Sequence, residues 1–598
     1  MVITLPVRAS QSPSQREIVW YILSCLFAWL LYKFSLLCLP TPFHDIPHNE
    51  GTTRTIFGDL ASMLSEVSKS NDIFTWLLRQ TQKANSPLYQ VFIRPFGRPS
   101  ILLSDYWEAT DIVLHRSREF DRTPYTADVF SGVLPNHHIH MPTGPEWKAH
   151  RRLLQDLMTP NFLNNTAAPA IYDRALELVD LWDAKARLAA GRPFFAAEDI
   201  HNTALDAVLS FSFGGAFPHS ATRPQLELLS TLYMEAVHRN DTPLDRPAEF
   251  PQASPPDCIK AILDITGAFE YTKSSIFPRL MWFLASKTPR VRHAVRTKDN
   301  FVLRELQGAT HRLVWKDSDA DHTWAQSAVD LIVDRERKYA EREGRSPNFF
   351  GSAIRDEVFG FVLAGHDTTS TTIAWGIKLL ADNPDAQTNL RLALKNALLE
   401  AAASNRLPLC SEVIRTSIPY LDATIEEILR CAPTVPAVDR VALNDTVLLG
   451  HSIPKGTSIF LMNKGASFFS PPHEIEDEKR SPSARAAKNK GHHAWDPETL
   501  DIFLPERWLV ASEEQASAVG TANVVFDPAA GPAMPFGGGP RGCWGRRLAY
   551  LEMRLIFALM VWRFELLGCP KELSGYDAFD GLVHKPKDCF VRLKRIES

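Results

Sequence analysis

Apolar residues crowd one stretch near the N-terminus and then recur at helical spacing through most of the chain. Residues 18–39, IVWYILSCLFAWLLYKFSLLCL, are nearly all apolar. A membrane-crossing helix needs roughly 20 such residues. Lys33 interrupts the run, but with a span core of Ile18 to Tyr32 its ammonium sits at the end and can reach the interface. The flanks make a poor signal peptide: the basic start is weak, and Leu37-Cys38-Leu39-Pro40 lacks a small-residue cleavage site. An uncleaved transmembrane anchor is the expectation, with residues 1–17 as a short tail. Arg8 and Arg16 precede the span and few basic residues follow it closely, which weakly favours a cytosolic N-terminus.

Beyond a proline-containing connector (PTPFHDIPHNEG), helical patterns alternate with short extended runs. Apolar spacing predicts helices over 171–191, which ends at a glycine, and over 353–384, which closes at Asn383-Pro384. A third begins near Leu548, with apolar residues at 551, 555, 556, 559 and 562. RPSILLSDY (98–106) and DTVLLGHSIPKGTSIFL (445–461) read as strands, the latter with a Pro-Lys-Gly turn. Residues 474–494 are charged, and 511–533 are rich in Ala, Gly and Ser. Both lack a packing face and are expected as surface insertions. Helix dominates, strands are few, and no repeat is visible. The fold class is mainly α with small β-sheets.

Composition narrows the function. At 45% hydrophobic and 22% charged, most of the 598 residues should build a large globular core. A formal net charge of −4 gives no reason to expect nucleic acid as a partner. The eight cysteines are scattered without a CxxC pair, which fits neither a disulfide framework nor a zinc site and suits a reducing compartment.

One cysteine stands apart. In PFGGGPRGCWGRRLA, 535–549, Cys543 lies just ahead of the third helix, where free N–H groups and the helix dipole stabilise an anion. Arg541, Arg546 and Arg547 add positive potential, and the glycines let backbone approach a flat partner. A thiolate is physically reasonable there. A buried core cysteine, a nucleophile without an obvious base, and a phosphate loop lacking its Lys-Ser/Thr are the alternatives. Elsewhere, Glu427 and Arg430 lie three apart on one helical face, as in a simple ion pair. AGHDTTS (364–370) sets a polar cluster inside an apolar helix, either a kink with a back-bonded threonine or a proton relay. Trp147 and Arg151 share a face in WKAHR, as a surface cation–π pair would. NHHIH (136–140) has metal-like content but reads better as a polar loop.

Phe536, Gly539, Arg541, Cys543 and Gly545 fill every fixed position of F-x-x-G-x-R-x-C-x-G, and by this pattern the chain resembles the cytochrome P450 family. The resemblance spans about residues 45 to 595 and implies the P450 fold for the domain 40–598. It implies haem b (iron protoporphyrin IX), with Cys543 as the thiolate ligand of the iron. Ala364, Gly365, Asp367 and Thr368 match the family's [AG]-G-x-[DE]-T pattern. There Asp367 would relay protons, Thr368 would hydrogen-bond dioxygen, and Gly365 would leave room for it. Glu427 and Arg430 would join Arg507 of FLPERW (503–508) in a buried charge triad, better evidence for specified geometry than for stability. Trp147, Arg151, Arg541 and Arg440 would hold the haem propionates.

The implied activity is that of a monooxygenase acting on an apolar small molecule, with features of fungal members that tailor secondary metabolites. Electrons would come from NADPH through NADPH–cytochrome P450 reductase, with cytochrome b5 as a further partner, since no flavin or nicotinamide fingerprint is visible. The resemblance also overrides the weak charge rule and implies a single-pass protein of the endoplasmic reticulum membrane with its catalytic domain in the cytosol. The sequons at Asn164, Asn240 and Asn444 would then stay unmodified. Substrate contacts are expected from 118–140, from the long helix near Phe361, and from TVPAV (434–438). The rival functions are an O2-independent isomerase or dehydratase, and a non-catalytic membrane-anchored haem- or lipid-binding protein.

Overall fold

A computed structural model describes residues 15–37, 39–231, 243–273, 275, 277–314, 324–489, 495–511 and 524–596. Asn240 and residues 490–494 and 512–523 lie outside the described residues. Helix α1, Gln15–Leu37, covers the N-terminal apolar run. Among the described residues, however, no helix is long and apolar enough to cross a membrane, so the transmembrane anchor predicted for 18–39 is not supported. Tyr21, Ser24, Tyr32 and Lys33 dilute the apolar surface of α1.

The remaining helices that position the site are α2 (Tyr106–Leu114), α3 (Pro145–Leu153), α4 (Ala168–Ala189), α5 (Ala197–Phe213) and α6 (Asp257–Lys273). They continue with α7 (Pro289–Val314), α8 (Ser352–Asp382), α9 (Pro419–Cys431), α10 (Pro482–Asn489) and α11 (Arg546–Arg563). Helix α8, of 31 residues, runs through the molecule and is buried along nearly its whole length. That is why its apolar pattern lacks a clear polar face. It stops where Pro384 pushes Asn383 out of helical geometry, at φ −124° and ψ 74°. Helix α4 ends as Ala190 and Gly191 both turn left-handed, at φ 50° and 84°.

Helices α4, α5, α8 and α11 share one apolar core containing Trp182, Phe211, Phe359 and Phe557, each fully buried. Burying a side chain of this size is worth about 2–3 kcal/mol. The packing of α5 on α8 depends on Gly365, where a Cβ would stand 2.8 Å from Val208 Cγ2. The missing side chain therefore admits a neighbouring helix.

Five strands form the main sheet: β1 (Leu88–Val91), β2 (Ser100–Leu103), β3 (Phe120–Asp121), β4 (Ala437–Ala442) and β5 (Ser458–Met462). Their order is β1-β2-β5-β4-β3, with only β2 and β5 parallel. Phe120 pairs with Ala442 and Asp121 with Val441, so the Asp-Arg dipeptides 121–122 and 439–440 meet at this end of the sheet. Near the C-terminus, β6 (Ala578–Asp580) and β7 (His584–Pro586) make a hairpin.

The charged insertion does not behave as a loop without a packing face. Arg480 is buried and donates to both oxygens of Asp105, at 2.7 and 2.9 Å, and Ser481 bonds to Glu108 and Asp111. These contacts fasten α10 onto α2. In the second predicted loop, residues 524–526 pair with 509–511 as a two-stranded ribbon.

Candidate active site

The Cys543 loop is shaped by its glycines. Gly537 and Gly539 are left-handed, at φ 63° and 60°, and a Cβ on Gly539 would lie 1.9 Å from the Val113 carbonyl. The tight turn thus rests against the end of α2; this packing, in addition to any flat partner, explains the glycine run. The Cys543 N–H donates to Phe536 O at 2.8 Å, and Gly545 caps α11. Phe536 packs on Tyr550 with ring centroids 5.1 Å apart, beneath Arg546. Trp544 stacks on Phe361 of α8 at 5.3 Å. Phe361 thus packs the long helix against the cysteine loop.

Cys543 keeps accessible surface, yet protein crowds it closely enough that burial decides its ionisation. Burial pushes the thiol up, and this outweighs the Gly545 N–H and the charges of Arg151, Arg546 and Arg122. Burial thus opposes the ionisation that the helix terminus and the arginines favour. A metal cation at sulfur would ionise it, because a coordinating thiol gives up its proton.

Beside it lies a group of arginines, Arg440 buried and the others partly buried. Trp147 is sandwiched, with Arg151 5.6 Å and Arg541 4.9 Å from its ring centre. Arg440, on β4, and Arg122, just past β3, complete the group. Arg122 escaped the sequence reading. Its available signal was the Asp-Arg dipeptide repeated at 121–122 and 439–440 on paired strands. Burial, then Arg122, pushes Arg541 down to about 9, and burial with Arg122 takes Arg440 to about 10.

Four arginines stand against Asp121 and Asp439, with Glu357 also reaching Arg151, so positive charge is in excess. Both acids are occupied: Asp121 accepts from Thr143 N–H and O–H at 2.7 and 2.9 Å, and Asp439 accepts from Thr126 at 2.6 Å. Arg541 Nη1 and Arg122 Nε are buried without a hydrogen-bond partner. An orphaned buried guanidinium is costly. A ligand with two carboxylates satisfies both the charge and the donors, and the two propionates of haem fit.

On α8, Asp367 is fully buried. Lys585 Nζ, from β7, lies 2.6 Å from its Oδ1 and also 2.7 Å from Glu270 of α6. His201 Nε2 of α5 lies 3.6 Å away. Burial pushes Asp367 up, but His201, Lys585 and His366 outweigh it and hold the carboxylate well below the usual range. Thr368, only partly buried, donates to Ala364 O at 3.0 Å, the back-bonded geometry. His201, Glu270 and Lys585 carry no sequence pattern that would have marked them.

The charge triad is assembled. Arg430 donates to both oxygens of Glu427 at 2.9 and 2.7 Å, and Arg507 Nε donates at 3.1 Å. Trp508 Nε1 and the Leu504 N–H add two further donors at 2.9 and 2.8 Å. NHHIH is a loop, as expected, but one packed on α8: His137 is buried and the His138 N–H donates to Glu357. The predicted substrate segment lines a cavity of about 280 Å³ with Gly132, Val133 and Pro135, opposite Trp282 and Phe359.

With a cysteine loop at a helix start, a buried triad and an arginine group suited to two carboxylates, the comparisons with known proteins decide the family. The Cytochrome P450 family model matches residues 58–468 and 496–591. The chain belongs to the cytochrome P450 family. The gap in that match, 469–495, is where the charged insertion falls. The chain is 38% identical over 582 residues to cytochrome P450 monooxygenase TRI13 of Fusarium sporotrichioides, covering 96% of this chain and 98% of that one. It is 35% identical to cytochrome P450 monooxygenase GME11363 of Pestalotiopsis microspora, covering 95% and 96%. It is 34% identical to cytochrome P450 monooxygenase xilC of Penicillium rubens, covering 94% of each. The crystal structure of the cytochrome P450DA heme domain superposes with a TM-score of 0.64 at 18% identity, over 93% of this chain and 99% of that one. That likeness shows the P450 fold, helix-rich with small sheets. The protein is an oxygen-incorporating oxidoreductase like its relatives.

Proposed function

We propose that this P450 places one atom of dioxygen into an apolar small molecule of fungal secondary metabolism, with NADPH electrons delivered by a separate NADPH–cytochrome P450 reductase and cytochrome b5 able to assist. The observation that carries it is the arginine group beside Cys543, with excess positive charge and two buried donors in want of a dianion. Haem ligated by a thiolate supplies the oxygen chemistry when bound. The chain's residues hold it and manage protons. Arg122, Arg151, Arg440 and Arg541 face the carboxylates, with Trp147 as a stacking platform. Asp367 stores charge in a dry site, and partly exposed Lys585 and Glu270 connect it to solvent. Thr368 places a hydroxyl one residue away on the more open face of α8.

Fungal secondary metabolism is supported by the relatives' sources and by one relative named for the Hps1-dma1 cluster of Dothistroma septosporum. Attachment to the cytosolic face of the endoplasmic reticulum belongs to the same proposal. Its support is the exposed apolar surface of α1, including Trp20, Phe27 and Trp29, and the exposed Tyr271, Phe277 and Phe283.

The test is turnover of a panel of apolar fungal metabolites with reductase, NADPH and isotopically labelled dioxygen. One labelled atom per product molecule is expected. Product formed without oxygen and NADPH would establish an isomerase or dehydratase instead.

A further inference from the structure

Three histidines close on one buried carboxylate in the N-terminal part of α8, ahead of Asp367 in the middle of that helix. Glu357 is fully buried, and its two oxygens accept three N–H donors, with a third histidine ring close by. Oε1 takes the His138 backbone N–H at 2.8 Å and His150 Nδ1 at 2.6 Å. Oε2 takes His138 Nδ1 at 2.7 Å, and His137 Nε2 lies 3.3 Å from it. Burial pushes Glu357 up, but the histidines outweigh it and keep it an anion.

His137, His138 and Glu357 are close enough to suggest a metal site. The tautomer of His137 argues otherwise. Its Nδ1 accepts the Ile139 N–H at 3.0 Å, so the ring proton sits on Nε2, the atom that faces Glu357. No free lone pair points into the cluster from that ring. The ring itself lies against Gly360, where a Cβ would come within 2.1 Å of Nε2. The arrangement is a hydrogen-bonded clamp.

What it clamps is the arginine group. His150 sits on α3 between Trp147 and Arg151. His137 and His138 belong to the segment whose Ile139 carbonyl accepts from Arg541 Nη2 at 3.3 Å. Asp356 reinforces the hold, taking the Asn136 backbone and side-chain N–H groups at 2.8 and 2.9 Å. The charge of Glu357 also reaches Arg151. We propose that Glu357 is a positioning residue for the haem carboxylates: through His138 and His150 it locks α3 and the 136–141 segment to α8 and so aims Trp147, Arg151 and Arg541. This rests on the haem-thiolate function proposed above.

The experiment measures haem transfer from the full-length holoenzyme to excess apomyoglobin, with the propionate bending bands in resonance Raman and thermal unfolding alongside. Glu357→Gln should lose haem on the order of tenfold faster, the usual scale for outer-shell partners. Its propionate bands should shift while the carbon monoxide band of thiolate ligation stays. His150→Leu should also accelerate loss, and the double variant should add little to Glu357→Gln because both break one device. Asp206→Asn, which removes another buried and hydrogen-bonded carboxylate on α5, is the control for general destabilisation. Unchanged loss rates and bands in Glu357→Gln, or equal acceleration in Asp206→Asn, would overturn the proposal. If Glu357→Gln yields no folded protein, unchanged haem loss in His150→Leu overturns it. A wild-type protein that binds haem without the thiolate band contradicts the proposed function, while the haem-loss rates still judge the clamp.

Discussion

Phe361 of α8 and Trp544, the residue after Cys543, stack with ring centroids 5.3 Å apart and planes 17° from parallel. Phe361 is also edge-on to Phe211 of α5, so the cysteine loop is tied by one aromatic column to the two helices at the centre of the core. The stack joins α8 to the residue beside Cys543. Such a pair is worth about 0.5–1.5 kcal/mol beyond the area it buries. Trp544→Ala should lower stability by about 2 kcal/mol in thermal unfolding and let the holoenzyme lose its thiolate-type carbon monoxide band on mild heating. Trp544→Phe should keep both. Equal behaviour of the two variants would show that the stack is incidental.

Arg122 should matter as much as the arginines that the motifs mark. Its Nε has no partner within the protein, so a haem carboxylate is its natural acceptor. A charge-assisted hydrogen bond of this kind contributes about 1.5–3 kcal/mol. Arg122→Met should therefore speed haem transfer to apomyoglobin by roughly 10- to 100-fold. An unchanged rate would place Arg122 with Asp121 and Asp439 alone.

Asp367→Asn should cut turnover by about 100-fold, the low end for a lost proton-transfer group, while substrate binding and the carbon monoxide spectrum stay intact. Steady-state rates in H2O and D2O check this, with a larger solvent isotope effect expected in the variant. Full activity in Asp367→Asn would reduce the Asp367–Lys585–Glu270 chain to packing.

Glu426 on α9 gives a pH test of stability. Burial pushes it up to about 7 despite a bond from Tyr550 and the nearby Arg546. Between its unfolded value near 4.5 and 7 the folded state therefore holds a proton that the unfolded state has lost. Stability should fall as pH rises through that window, by up to about 3 kcal/mol. Glu426→Gln should flatten the profile and be the more stable protein at pH 8. A parallel profile in the variant would refute the assignment.

Much of the site was legible because its chemistry is written in short motifs. Cys543, Arg541 and the Glu427–Arg430–Arg507 triad each follow from local spacing plus a family pattern, and the fold brings the triad within hydrogen-bonding distance. Arg122, Lys585, Glu270 and Glu357 were not legible, because their partners lie hundreds of residues away and become neighbours only when β3 pairs with β4 or when the 584–586 strand reaches α8. The limits have local causes. A glycine tells that a side chain is absent but not which neighbour needs the space: at Gly365 it is Val208, at Gly539 it is Val113. Charge content made 474–494 look solvated, yet Arg480 has a buried partner in Asp105. Periodicity placed Phe361 on a buried helix without showing that its face meets Trp544.

The central claim is that Cys543 is a thiolate ligand of haem, held ionised by iron in a site where burial alone would keep it a thiol. The direct measurement is the carbon monoxide difference spectrum of the reduced, full-length protein, beside that of Cys543→Ala. The wild type should show the strongly red-shifted band of thiolate ligation and the variant should lack it. A wild-type spectrum without that band, or a variant that keeps it, would contradict the account.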